Sequence, residues 1–380
     1  MPSVNDILSV AEALEKSPII VVRDSCVAVR NRNATCRRCL SVCQANALNV
    51  SGNDLSLNTA LCTGCGACTV ACPTEALVSV APTNTALLQA ASQSMEANDG
   101  SAVIACARIA SKRVADPARY AEVPCLSRVD ETLLLSLAAQ NAERVVLVDG
   151  RCETCKFREF ASHCEGILNS ARNLVAALGG EAAIERREGF PDELLVENAG
   201  ELHGTTRRGF FSEAVGAAKE TTLAAAKATV AEELGLNTPE LSIGERLRVT
   251  ETGTLPLIHV PRHEATINAL DALGNPQVES IESRLFASVD IDVQRCNSCG
   301  MCALFCPTGA LRRDLADEVG DPLRCLEFSA SDCVQCGLCA DVCWKGALEV
   351  SPVVSIDQLF DFEPVTFNLH TPKKSPKYFG

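Results

Sequence analysis

Aromatic side chains are scarce in this chain: one Trp, two Tyr and 12 Phe among 380 residues. A core this poor in rings has to rest on Leu, Val, Ile and Ala. Histidine is rare too, with five residues. Positive charge is in deficit, 34 Lys and Arg against 48 Asp and Glu, for a net charge of −14. Phosphate backbones are held by cationic faces, so this balance argues against nucleic acid as the main partner. No stretch approaches the ~20 consecutive apolar residues that span a bilayer. The first 22 residues lack the basic and uninterrupted apolar regions of a secretory signal. Thr206-Arg207-Arg208-Gly209-Phe210-Phe211 mimics a twin-arginine motif, but such signals are read at the N-terminus. A helix start capped by Thr205 or Thr206 is the simpler reading. Also missing are a Walker loop, a Gly-x-Gly-x-x-Gly turn after a strand, an acid–base pair and a nucleophile motif. The expectation is a cytoplasmic protein with no membrane span and no hydrolytic or dinucleotide chemistry.

What the chain has instead is 22 cysteines. Where thiols are kept reduced, that number points to metal or redox work and not to a disulfide framework. Most of them fall in four copies of one ladder. Cys62-Thr-Gly-Cys65-Gly-Ala-Cys68-Thr-Val-Ala-Cys72-Pro-Thr-Glu-Ala-Leu has the spacing C-x2-C-x2-C-x3-C-P. Cys296-Asn-Ser-Cys299-Gly-Met-Cys302-Ala-Leu-Phe-Cys306-Pro-Thr-Gly-Ala-Leu repeats it, identical at nine of 16 positions. Cys333, Cys336, Cys339 and Cys343 make a third copy, with Trp344 in place of the proline. The fourth is degenerate: Cys36, Cys39 and Cys43 align from the end of the ladder, and Asn33 occupies the first slot. Cys26, seven residues upstream of that slot, is within reach to fill it.

Three cysteines at every third position of a tight loop let their thiolates converge on three corners of one iron–sulfur cube, while the fourth reaches the neighbouring cube. Gly66, Gly300 and Gly337 lie inside the loops, where a side chain would crowd the cluster or a positive φ is needed. Zinc ribbons use C-x2-C pairs separated by longer stretches, which these runs do not match. Residues 20–82 and 286–352 therefore resemble bacterial two-cluster ferredoxin domains. Crossing the ligands as that family does implies four [4Fe–4S] clusters. Their sets would be Cys26, Cys36, Cys39 and Cys72; Cys43, Cys62, Cys65 and Cys68; Cys296, Cys299, Cys302 and Cys343; and Cys306, Cys333, Cys336 and Cys339. The displaced Cys26 departs from the family pattern.

Six cysteines remain, five of them between residues 100 and 165. Strand-like and helical runs alternate there: strands over 101–106, 121–125 and 144–149, helices over 131–140 and from about 157 to 178. Continuous apolar strands separated by helices imply a parallel sheet covered on both faces, with ligands at the carboxyl ends of the strands. Cys106, Cys125, Cys152 and Cys155 sit at such ends. Pro124-Cys125-Leu-Ser-Arg-Val-Asp130, and Val145-Val-Leu-Val-Asp-Gly-Arg-Cys152 with Cys155, resemble the small iron–sulfur (delta) subunit that joins methyl-viologen-reducing hydrogenase to heterodisulfide reductase. That resemblance implies one [2Fe–2S] cluster on Cys106, Cys125, Cys152 and Cys155, although the final pair is more closely spaced than in the family. Read from the residues alone, a thioredoxin-like dithiol and a structural zinc with His163 or Cys164 remain open. Otherwise Cys164 and His163 are ordinary helix residues, Cys325 a spare thiol, and His259 and His263 packing or surface residues.

The predicted fold class is α+β ferredoxin domains at both ends with an α/β parallel-sheet middle domain. The expected segments are 1–85, 100–200, a helical and extended connection over 201–285, 286–355, and an extended tail over 356–380. Residues 82–100 read as a linker helix, 207–235 as an Ala-rich amphipathic helix or helical pair, and the tail as a docking arm for a partner. The function expected is that of a multi-cluster electron-transfer subunit in a flavin- or metal-containing oxidoreductase complex. A thiol–disulfide reductase using the middle cysteines and a zinc-stabilised scaffold are the alternatives.

Overall fold

The computed structural model describes residues 18–155, 157–197, 248–250, 254–313 and 324–369. The amphipathic segment at 207–235, the twin-arginine mimic, the first 17 residues and the tail beyond Leu369 lie outside the described residues.

Two short antiparallel ladders frame the first cysteine-rich segment. β1 (Ile19–Val21) pairs with β4 (Leu77–Ser79), and β2 (Leu48–Ser51) with β3 (Asp54–Leu57). The β2–β3 turn is Gly52-Asn53, both at positive φ (58° and 59°), as a two-residue hairpin of primed type requires. Between the strands run three one-turn helices, α1 (Val27–Arg30), α2 (Arg38–Ser41) and α3 (Ala67–Ala71). Gly66 caps α3 at φ 82°, a conformation that disfavours a Cβ.

The middle unit follows without a linker. The expected linker helix exists as α4 (Asn84–Ala97), but its Leu87, Ala91 and Ser94 are buried against the sheet. Thr83 caps it by accepting from the Ala86 N–H at 3.1 Å, and Ser94 Oγ accepts from the Val103 N–H at 2.9 Å. The sheet itself is four parallel strands in the order β6 (Ala121–Val123), β5 (Ser101–Cys106), β7 (Arg144–Asp149), β8 (Ala183–Glu188). Ala102 to Ala105 and Val145 to Val148 are all at most 1 % exposed, as both-face burial of central parallel strands requires. Around it lie α5 (Ala107–Ala110), α6 (Glu131–Ala139) and α7 (Phe160–Ala177). Asp130 caps α6 through the Leu133 N–H at 2.9 Å. Strand β8 was not foreseen: its sequence, Ala-Ile-Glu-Arg-Arg-Glu, is mostly charged, which suits an edge strand better than a buried one.

Helix α8 (Pro261–Leu273) packs on α6, with Thr132 Oγ1 and Thr266 Oγ1 2.7 Å apart. The second cysteine-rich segment then pairs β10 (Ser288–Ile291) with β13 (Leu348–Ser351), and β9 (Ser280–Glu282) with β14 (Val353–Ser355). It contains the one-turn helices α9 (Met301–Phe305) and α10 (Leu338–Asp341), each capped by a left-handed glycine, Gly300 and Gly337. The expected free arm is, up to Leu369, part of this unit. After α11 (Ile356–Phe360), β15 (Val365–Asn368) adds to β12 (Cys325–Phe328), which in turn pairs with β11 (Leu311–Arg313).

Arginines tie the units together. Arg30, from α1, donates to the carbonyls of Pro256 (2.7 Å), Phe305 (3.0 Å) and Cys306 (3.3 Å). Arg262, from α8, donates to the carbonyls of Thr69 and Cys72. Arg284 pairs with the buried Glu131. Thr35 donates through its N–H and hydroxyl to Asp341 (2.7 and 2.9 Å), and Leu338 and Val342 join the core of the N-terminal unit. The two cysteine-rich segments, distant in sequence, are therefore in direct contact.

Candidate metal centres

All 22 cysteines fall within the described residues and none is in a disulfide. Their mutual repulsion shows which thiols are neighbours. Cys26, which caps α1, is pushed up by burial and then by Cys72 and Cys36. Cys39 is pushed up to about 12 by burial, with Cys72, Cys26 and Cys36 adding to it. Cys26 thus reaches the slot left open at Asn33: the turn Arg23–Ser25 and helix α1 carry the chain back to Cys36, Cys39 and Cys72. Cys68 and Cys65 are raised by burial, and both feel Cys62 and Cys43. Cys302 rises to about 12 through burial and the charges of Cys299, Cys296 and Cys343. Cys333 rises to about 12, and Cys336 and Cys339 rise too, by burial with Cys306 among the repelling neighbours of each. The structure therefore gathers the same four sets that the ferredoxin resemblance implies.

The last cysteine of each ladder meets a backbone donor. The N–H groups of Ala47, Ala76, Leu311 and Ala347 point at the sulfurs of Cys43, Cys72, Cys306 and Cys343, at 3.3, 3.2, 3.3 and 3.3 Å. Donors of this kind favour the thiolate and tune the potential of a cluster bound there. Four buried thiols that repel one another cannot ionise together unless a cationic core sits among them. A tetrahedral zinc, at about 2.3 Å from each ligand, would draw four sulfurs to about 3.8 Å from one another. Among the described residues no three Cys, His, Asp or Glu side chains close on such a single-ion point. The all-thiol donor sets fit iron–sulfur clusters better than zinc.

In the middle unit Cys106, Cys125, Cys152 and Cys155 line one cavity at the carboxyl ends of the strands. A fifth thiol, Cys164, joins them, pushed up to about 12 by burial and by Cys125 and Cys152. Its reading as an ordinary helix residue is thus revised. The signal in the sequence was the spacing of Phe157, Ala161 and Cys164, one face of the helix start, all three lining this cavity. His163 is not part of it; the charges nearest its ring are Arg284 and Glu131, and burial lowers its pKa. His263 packs on Phe286 and its Nε2 lies 2.6 Å from the Ser331 carbonyl. Cys152 is pushed up to about 11 by burial and by Asp149, the opposite of the depressed pKa that a reactive dithiol needs.

The five sets form a row. Cys125 feels both Cys106 and Cys65, Ser127 Oγ donates to the Cys65 carbonyl at 3.3 Å, and Phe157 lines both the middle cavity and the one around Cys43, Cys62, Cys65 and Cys68. Cys68 feels Cys39, Cys336 feels Cys36, and Cys339 feels Cys302. At the far end Cys299 is exposed, beside an outward-facing Trp344 with Lys345 Nζ 4.0 Å over its ring. The largest cavity, about 350 Å³, holds none of these thiols; it opens between α4, α6 and α8 over Glu75, Arg128, Asp130 and Arg262. Its charged wall backs onto the cysteine loops, so cavity size is a poor guide to the chemistry here.

Comparison with known families agrees with the two ends. Residues 295–347 match the profile described as a 4Fe-4S dicluster domain, and residues 55–78 that of a 4Fe-4S binding domain. The class defined by fold and site is thus a mixed α/β protein with ferredoxin-type 4Fe–4S segments. No curated protein and no solved structure matches the chain, so the likeness of the middle unit to the hydrogenase delta subunit stands on its own residues. No described helix is long and apolar enough to cross a membrane.

Proposed function

We propose that this chain is an electron-transfer subunit with five iron–sulfur centres in a single row. The ligand sets in order would be Cys106, Cys125, Cys152 and Cys155 for a [2Fe–2S] cluster, then Cys43/62/65/68, Cys26/36/39/72, Cys306/333/336/339 and Cys296/299/302/343 for [4Fe–4S] clusters. When bound, such clusters supply one-electron chemistry. The chain supplies order and insulation: each set has a thiol in the electrostatic field of the next, and the loops between them are sealed by buried arginines and backbone donors. That continuity is the observation that carries the reading. The two ends of the row, the middle cavity and the exposed Cys299 beside Trp344, are where partner subunits of a cytoplasmic oxidoreductase complex would dock. The raised thiol of Cys152 speaks against the reductase reading, in which that pair would attack a disulfide.

Magnetic coupling tests the row. In the fully reduced protein, neighbouring paramagnetic clusters broaden each other's EPR signals. Spectra that simply add as isolated centres at every stage of reduction would overturn the proposed arrangement.

A further inference from the structure

Arg128 is only 2 % exposed, one of the largest fully buried side chains in the described residues. Burial lowers its pKa, and a buried guanidinium is costly unless its donors are matched. Its Nη2 is matched, donating to Asn84 Oδ1 at 2.5 Å and the Pro82 carbonyl at 3.3 Å. Its Nε, also buried, has no hydrogen-bond partner. The two nearby carboxylates are engaged elsewhere: Asp130 caps α6, and Glu75 accepts from the Arg262 N–H at 2.9 Å.

The stem of Arg128 lies on the cysteine loop. A Cβ placed on Gly66 would stand 2.5 Å from its Cδ and 3.1 Å from its Cγ. Nε is bonded to that Cδ, so the unmatched N–H is one bond from an atom resting on the Cys65-Gly66-Ala67-Cys68 run. The charge of Cys68 acts on Arg128, and its neighbour Ser127 donates to the Cys65 carbonyl. Gly66 thus has two reasons to lack a side chain: its φ of 82° and the arginine lying across it.

We propose that Arg128, although it belongs to the middle unit, is a positioning residue for the cluster on Cys43, Cys62, Cys65 and Cys68. Its unmatched Nε–H is completed by the sulfur shell of that cluster, and its charge favours the reduced state. This rests on the proposed function. One added electron makes a cluster more negative, and a fixed cation in a water-poor interior offsets that charge more strongly than the same cation would in water. The middle unit thereby sets the potential of the first cube it meets.

The test is an EPR-monitored redox titration of the anaerobically loaded full chain. At the potential where this cluster is half reduced in the wild type, Arg128→Met should show a ten-fold lower ratio of reduced to oxidised cluster, a 59 mV shift for one electron. Arg128→Lys, which keeps the charge but loses the fork, should fall between, and the clusters of the C-terminal unit should titrate as before. Full iron with an unshifted titration in Arg128→Met overturns the proposal. If that variant loses the cluster, wild-type protein grown on ¹⁵N-arginine decides. Pulsed EPR should detect a ¹⁵N coupling on the reduced cluster that survives Arg30→Lys, and its absence overturns the proposal. Iron and sulfide counts on the wild type are separate: no cluster there would refute the proposed function itself.

Discussion

Gly66 and Gly337 occupy equivalent places in two ladders, at φ 82° and 78°, yet their surroundings differ. A Cβ on Gly337 meets nothing within 4 Å, whereas one on Gly66 strikes the Arg128 stem at 2.5 to 3.1 Å. Gly337→Ala should therefore cost only the left-handed backbone penalty of about 1–2 kcal/mol. Gly66→Ala adds overpacking against a side chain that cannot swing into water, about 1–3 kcal/mol more. If the added strain is released before the unfolding barrier, each kcal/mol is roughly a five-fold change in unfolding rate. Gly66→Ala should then lose its visible cluster absorbance in anaerobic urea about 5- to 150-fold faster than Gly337→Ala. Equal rates would refute the packing argument, and a faster loss in Gly337→Ala would invert it.

Other outcomes follow from the charges. Cys39, Cys302 and Cys333, pushed up to about 12, are protonated at neutral pH in the metal-free chain, while ligation requires thiolates. Loading should release about four protons per cluster and strengthen as pH rises; reconstitution in weak buffer with no proton release would contradict this. Arg30 lies in the field of Cys306 and Cys336 and bridges to three carbonyls of the C-terminal segment. Arg30→Gln should make the Cys306/333/336/339 cluster harder to reduce and speed amide exchange in α9, and an unchanged titration would remove Arg30 from the electrostatic account.

The ladders were legible because their chemistry is local: a cysteine every third residue with a glycine inside announces a ligand loop before any fold is known. The central strands were legible for a similar reason, since Ser101–Cys106 and Arg144–Asp149 are uninterrupted apolar runs. What the sequence hid depends on contacts between distant residues. Strand β8 carries charges because it lies at an edge, and no pattern of its own separates it from a loop. Helix α4 read as a linker because its mixed composition does not reveal that Leu87 and Ala91 meet β5. Cys164 looked like one more helical residue, and only the placement of α7 over the strand ends brings it to the other four thiols. The contact between the two ferredoxin-type segments rests on single residues some 300 positions apart, Thr35 with Asp341 and Arg38 with Gln335. No composition or spacing argument sees such pairs.

Anaerobic iron and sulfide analysis of the wild type and of Cys152→Ser tests the account most directly. The wild-type chain should carry eighteen irons, four in each of four cubes and two in the middle site, as its ligand sets imply. Cys152→Ser should carry sixteen, with the cube signals unchanged. A wild-type count near sixteen that Cys152→Ser does not lower would remove the middle cluster. A count near eight, or zinc in place of iron, would contradict the row of five centres.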